Sequence, residues 1–177
     1  MKITYFVHGT TTDNEQHLAT GWNDGELSEK GIQQSKELPS KLQDSDFEVV
    51  FCSDLKRAIN SAELSFKGNY KIIHDKRLRE ANYGDWNGAT ASKFKNDMEK
   101  YIDTRFPNGE NYKDVEKRMR EFVDEMKLTY SHMAIVAHQA PQLALEVIAK
   151  GKTWQQAVAE DWRKVGAWQP GWTYEVK

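Results

Sequence analysis

Four short stretches of this 177-residue chain carry side chains suited to chemistry. The first, His8-Gly9-Thr10-Thr11-Thr12-Asp13-Asn14, sets an imidazole beside a glycine, whose lack of a Cβ lets the backbone approach a ligand closely. The hydroxyls and N–H groups that follow can receive an anion. The second, Ser53-Asp54-Leu55-Lys56-Arg57-Ala58, puts Arg57 in the first turn of a helix, where its planar fork suits a phosphate. The third, Leu78-Arg79-Glu80, precedes Gly84-Asp85-Trp86-Asn87-Gly88; a loop glutamate such as Glu80 can act as a general acid. The fourth, Ile135-Val136-Ala137-His138, is an apolar run ending at a second histidine, with Gln139 next and a helix N-terminus to follow. Taken singly, each has a plainer reading: a packed histidine, a surface ion pair, a solvated carboxylate, a histidine capping a strand end.

The elements that must position these residues are read from periodicity. Ile3 to Val7 is a short β-branched run, predicting a buried strand that ends at His8. Ser28 caps a helix carrying Ile32, Leu38 and Leu42, which Pro39 should kink or end. Glu48 to Cys52 predicts a second strand, and Leu55, Ala58, Ile59, Ala62 and Phe66 fall on one face of the next helix. Tyr70 to His74 predicts a third strand. The 81–113 segment, rich in Gly, Asn, Asp and Lys, reads as loops around a helix near Ala91 to Tyr101. Its mixture of Lys93, Lys95, Lys100 and Arg105 with Asp97, Glu99 and Asp103 reads as a solvated face, with a lid as the alternative. An amphipathic helix follows over Asp114 to Leu128, then a fourth strand over Met133 to Ala137, a helix over Pro141 to Ala149 and a last strand over Trp172 to Val176. Alternating strands and helices predict one α/β domain over residues 1–177, with helices on both faces of a sheet and the site beyond the carboxyl ends of its strands.

Bulk composition narrows the function classes. With 38% hydrophobic and 29% charged residues the chain is globular. Lys plus Arg number 25 against 27 for Asp plus Glu, a near balance that argues against a nucleic-acid partner. Cys52 is the one cysteine, so no intrachain disulfide can form. Neither a signal-peptide core nor a membrane span is visible, which predicts a cytoplasmic location and no membrane partner. Four tryptophans, Trp154, Trp162, Trp168 and Trp172, crowd the last quarter and are expected to pack there.

In order and spacing, the four clusters together resemble the histidine phosphatase superfamily, the phosphoglycerate mutase-like proteins. The resemblance runs from about residue 3 to about residue 149. It rests on His8-Gly9 with Thr11 and Asn14, on Ser53 to Ala58, on Leu78 to Gly88, and on His138 at a strand end. Secondary matches are Gly25 to Gly31 and the Phe106-Pro107-Asn108-Gly109-Glu110 stretch before Asp114, Val115 and Arg118. The resemblance implies a three-layer α/β/α sandwich with a mostly parallel central sheet. It also implies hydrolysis of a small phosphorylated substrate without metal or other cofactor. His8 would become a phosphohistidine, Arg57 and His138 would hold the phosphoryl oxygens, and Glu80 would protonate the leaving group. Gly9, Thr10, Thr11, Asn14 and Gln139 would line the phosphate pocket.

One departure matters. The family pattern has an arginine immediately before the nucleophilic histidine, and this chain has Val7. Losing such a charge-assisted contact typically costs about 2–5 kcal/mol. Gln139 and Thr10 also stand where the pattern has other residues. Three readings follow: a working phosphatase in which Gln139, Thr10 or a basic residue of the 91–113 segment, such as Lys93 or Arg105, covers part of the loss; a domain that binds a phosphorylated ligand without turning it over; and a transition-metal site on His8 and His138. The last lacks an obvious third ligand. Oligomeric state is not read from the sequence.

Overall fold

The computed structural model describes residues 1–42 and 46–177. In chain order its elements are β1 (Lys2–Val7), α1 (Thr12–Glu15), β2 (Leu18–Ala19), α2 (Glu29–Glu37), β3 (Val50–Cys52), α3 (Lys56–Phe66), β4 (Ile72–His74), β5 (Ala89–Thr90), α4 (Tyr112–Met126), β6 (His132–Ala137), α5 (Gln139–Lys150), α6 (Trp154–Ala159), α7 (Trp162–Val165) and β7 (Trp172–Glu175). The central sheet has the order β4-β3-β6-β1-β7, parallel throughout except for β7, which pairs antiparallel with β1 at one edge. The chain builds β1, then β3 and β4, and returns to insert β6 between β1 and β3.

Strand alternation sorts the core into two layers. Ile3, Tyr5, Phe51, Met133, Ile135 and Ala137 face α4 and α5, while Phe6, Val50, Cys52, Ala134 and Val136 face α3 with Ala62 and Phe66. Both sides are apolar because the parallel strands are covered on both faces, which makes the molecule a three-layer α/β/α sandwich.

Local signals explain the boundaries. Ser28 caps α2 by accepting from the Gly31 N–H at 3.3 Å. Pro39 ends the regular helix, which continues only as a 3₁₀ turn over Leu38–Lys41. Helix α4 opens with a capping box, Asn111 and Asp114 each accepting the other's backbone N–H. β3 and β4 are shorter than the strands predicted over 48–52 and 70–74, because β4 lies at the sheet edge and pairs with only three residues of β3. The helix predicted near 91–101 is instead two 3₁₀ turns, Ala91–Lys93 and Lys95–Tyr101, with Asp97 non-helical. Their aromatic side chains decide the shape: Phe94, Tyr101 and Phe106 pack with Tyr83 and Trp86 in the main core. A two-stranded ribbon of β2 and β5, unpredicted because each strand has two residues, ties this segment to the loop after His8. Among the described residues, no helix is long and apolar enough to cross a membrane.

Candidate active site

β1 and β6 run parallel with Val7 opposite Ala137, so His8 and His138 leave the sheet side by side. Their ring centroids are 4.9 Å apart with planes at 60°. His8 Nδ1 lies 2.7 Å from the Gly9 carbonyl, which can only accept; Nδ1 therefore carries the proton and Nε2 keeps its lone pair. Burial, then the nearby Arg57 charge, lower the His8 pKa from its usual value to about 3, so the ring is neutral at ordinary pH. His138 is likewise held well below its usual value, by burial first and by Arg57 second. Its backbone is bracketed by Tyr5, whose hydroxyl donates to the His138 carbonyl at 2.6 Å and accepts from its N–H at 3.0 Å. Yet His138, 1% exposed, has no hydrogen-bond partner among the described residues on either ring nitrogen. Buried polar atoms are normally paired, so these two nitrogens are open to a polar ligand.

Arg57, buried near the start of α3, donates to the carbonyls of Gly21 at 2.7 Å and Asn23 at 3.1 Å. These two bonds use part of its five-donor fork, and the side chain lines the cavity. The buried Glu80 is fixed by backbone amides: Oε1 accepts from Ala81 at 2.8 Å and Ala140 at 3.0 Å, and Oε2 from Gln139 at 3.2 Å. Gln139 and Ala140 are the first residues of α5, so the carboxylate sits at the positive end of that helix. Its backbone carbonyl is held in turn by Trp22 Nε1 at 2.7 Å and Arg118 at 3.0 Å. A cavity of about 480 Å³ brings His8, Asn14, Arg57, Glu80, Lys95, Gln139 and Arg163 together, and a second of about 300 Å³ adds Val7, Thr10 and His138.

The remaining expected residues are placed differently from one another. Asn14 and Gln139 line the larger cavity. Thr10 lines the smaller, with its N–H and hydroxyl both donating to Gln34 Oε1 at 2.9 Å. Thr11 is fully buried, and its hydroxyl is spent as the cap of α1, accepting from Asn14 N–H at 3.0 Å. The close approach that Gly9 permits is to the protein itself: a Cβ there would lie 2.4 Å from the Gly31 carbonyl oxygen. A Cβ on Gly31 would meet the Thr10 carbonyl oxygen at 1.9 Å, so the His8 loop and α2 touch backbone to backbone.

Periodicity missed two cations. Lys95 is not part of a solvated face: its Nζ donates to Gln139 Oε1 inside the site, and burial lowers its pKa. Lys93 instead sits over the Trp86 ring, and Arg105 pairs with Asp114 at the surface, both away from the cavities. Arg163 comes from α7, in a stretch with no motif to betray it. Trp162 and Trp168 border the smaller cavity, so the late tryptophans do more than pack. Among the described residues no group of three or more His, Cys, Asp or Glu side chains is set to hold a metal ion.

The chain is similar to several known proteins. A model of the histidine phosphatase superfamily (branch 1) matches residues 5–165. Phosphoserine phosphatase 1 of Hydrogenobacter thermophilus is 25% identical over 156 residues, which span 82% of this chain and 74% of that protein. A 2,3-bisphosphoglycerate-dependent phosphoglycerate mutase of Mannheimia succiniciproducens is 36% identical over 94 residues, 50% of this chain and 41% of its own. Among solved structures, a mycobacterial glucosyl-3-phosphoglycerate phosphatase in complex with VO3 superposes with a TM-score of 0.79 at 26% identity, covering 89% of this chain and 86% of that one.

Proposed function

Because the chain belongs to the histidine phosphatase superfamily, we propose that it hydrolyses a small phosphomonoester through a phosphohistidine on His8. The observation that carries this reading is the pairing of a neutral His8, with Nε2 free to attack, and a buried His138 whose nitrogens have no protein partner among the described residues. In the first step Glu80 holds a proton received from the bound phosphate monoanion; the Nε2 lone pair forms an N–P bond while the ester P–O bond breaks, and Glu80 passes that proton to the departing alkoxide. In the second, Glu80 takes a proton from water, whose oxygen attacks phosphorus; the N–P bond breaks and inorganic phosphate leaves. Arg57 and His138 stabilise the charge on the transferring phosphoryl oxygens, with Asn14, Thr10 and Gln139 around them. The reaction needs no metal in this scheme, since positioning and fixed charge carry most of phosphoryl transfer.

Val7 supports a second reading, a domain that keeps the pocket and binds a phosphorylated ligand without turning it over. The test is a panel of phosphate monoesters with the wild type and His8→Ala, with phosphorus-31 detection of a phosphohistidine. Turnover and an N–P signal that both vanish in His8→Ala are expected. Unchanged turnover in that variant refutes His8 as nucleophile, and binding without turnover in the wild type favours the second reading.

A further inference from the structure

We propose that Arg163, with Lys95, forms the anion clamp on the side of His8 where Val7 offers no charge. The inference rests on the phosphatase reading of the site and adds to it residues that no motif carries.

Arg57 borders the larger cavity, whereas Val7 and His138 border the smaller. Lys95 and Arg163 line both, so they supply positive charge on the Val7 side of the nucleophile. Arg163 is held for this. One guanidinium nitrogen donates to Asp161 Oδ1 at 2.9 Å and the other to Gln142 Oε1 at 2.9 Å. Three of its five N–H groups make no bond to the described residues and can turn to an anion. Asp161 is buried, with its side chain 1% exposed, and a buried carboxylate persists only when paired. Its second oxygen accepts from Gln139 Nε2 at 2.5 Å, and Gln139 Oε1 accepts from Lys95. Lys95, Gln139, Asp161 and Arg163 thus form one hydrogen-bonded chain across the mouth of the site. Arg57, Lys95 and Arg163 stand against Glu80 and Asp161, which leaves an excess of one positive charge to meet a phosphoryl dianion. A surface ion pair would not need this scaffolding; a pre-organised anion clamp does.

The experiment reads anion binding separately from turnover. Orthovanadate binding by calorimetry and kcat/KM on a phosphate monoester are measured on the wild type, Arg163→Gln and Lys95→Met, each with and without Val7→Arg. Arg163→Gln is expected to weaken vanadate and to lower kcat/KM by about 100-fold, the cost of losing one pre-organised donor. Lys95→Met should act in the same direction. Val7→Arg should restore most of the loss in the Arg163→Gln background and change the wild type by less than about tenfold. Should Arg163→Gln leave Asp161 unpaired and the fold damaged, Asp161→Asn/Arg163→Gln removes the buried pair as a unit and is expected to show the same weakened vanadate. Vanadate affinity unchanged in Arg163→Gln and Lys95→Met, no vanadate binding by the wild type, or an equal gain from Val7→Arg in both backgrounds would overturn the clamp. Failure to trap a phosphohistidine would instead strike the phosphatase reading, leaving the binding measurements to stand alone.

Discussion

Glu80→Gln separates a proton donor from a mere helix cap. The carboxylate accepts three backbone N–H groups, two on Oε1 and one on Oε2. A carboxamide can keep the first two on its oxygen, but its NH₂ then faces the Gln139 N–H, donor against donor. One hydrogen bond to a charged group is lost, about 1.5–3 kcal/mol, together with the favourable charge at the head of α5, about 0.3–2 kcal/mol. The expected destabilisation is about 2–5 kcal/mol, or a fall in Tm of about 4–20 °C. The effect on rate is separate and depends on the leaving group. A nitrophenolate departs without a proton, so nitrophenyl phosphate should slow modestly. An alkyl phosphate, whose alkoxide must be protonated, should slow by about 10²–10⁴-fold. Single-turnover rates for both substrates, at a temperature well below the variant's Tm, give the ratio. Equal losses on the two would refute Glu80 as the proton donor and reduce it to a cap.

Two further outcomes follow from the geometry. His8 and His138 stay neutral in the fold, while in the unfolded chain each protonates near its ordinary pKa of about 6.5. Unfolding therefore takes up protons below that pH, so stability is complete above about 6.5 and lost as pH falls toward the depressed native values. The two rings together should remove at most about 3 kcal/mol between pH 7.5 and 5.5 in denaturant titrations, and an equal loss in His138→Asn would contradict the assignment. Gly31→Ala should push the Thr10 carbonyl off α2, costing about 1–3 kcal/mol and lowering kcat more than it raises KM; wild-type kinetics and Tm would show that the loop does not depend on that contact.

The two histidines and Arg57 were legible because they follow strongly patterned runs, whereas Glu80 sits on a loop and was legible only through the motif around it. β1 and β6 are mostly apolar, buried strands that run into their histidines, and Arg57 lies in the first turn of a helix with a clear apolar face. Thr11 misled because a hydroxyl three residues before an asparagine serves a capping box as readily as an anion. Lys95 and Arg163 were hidden for a different reason. Each reaches the site through tertiary packing: one from a 3₁₀ turn clamped by buried aromatics, the other from a four-residue helix fixed by Asp161. No local period encodes such placements.

The distance between the two histidine rings has an origin of its own. Neighbouring strands lie about 4.7–4.9 Å apart in any sheet, and the rings, one residue beyond the Val7 and Ala137 pair, stand 4.9 Å apart. Interstrand hydrogen bonds in the interior of the sheet fix where the two histidine backbones leave it, and the side-chain torsions set the rings from there. Insertions in the connecting loops leave that exit untouched. A slip of one residue between β1 and β6 would shift one ring by about 3.3 Å and turn it to the opposite face. Under the proposed mechanism the phosphorus is held where the two strands end, and substrates would differ in what lies beyond it.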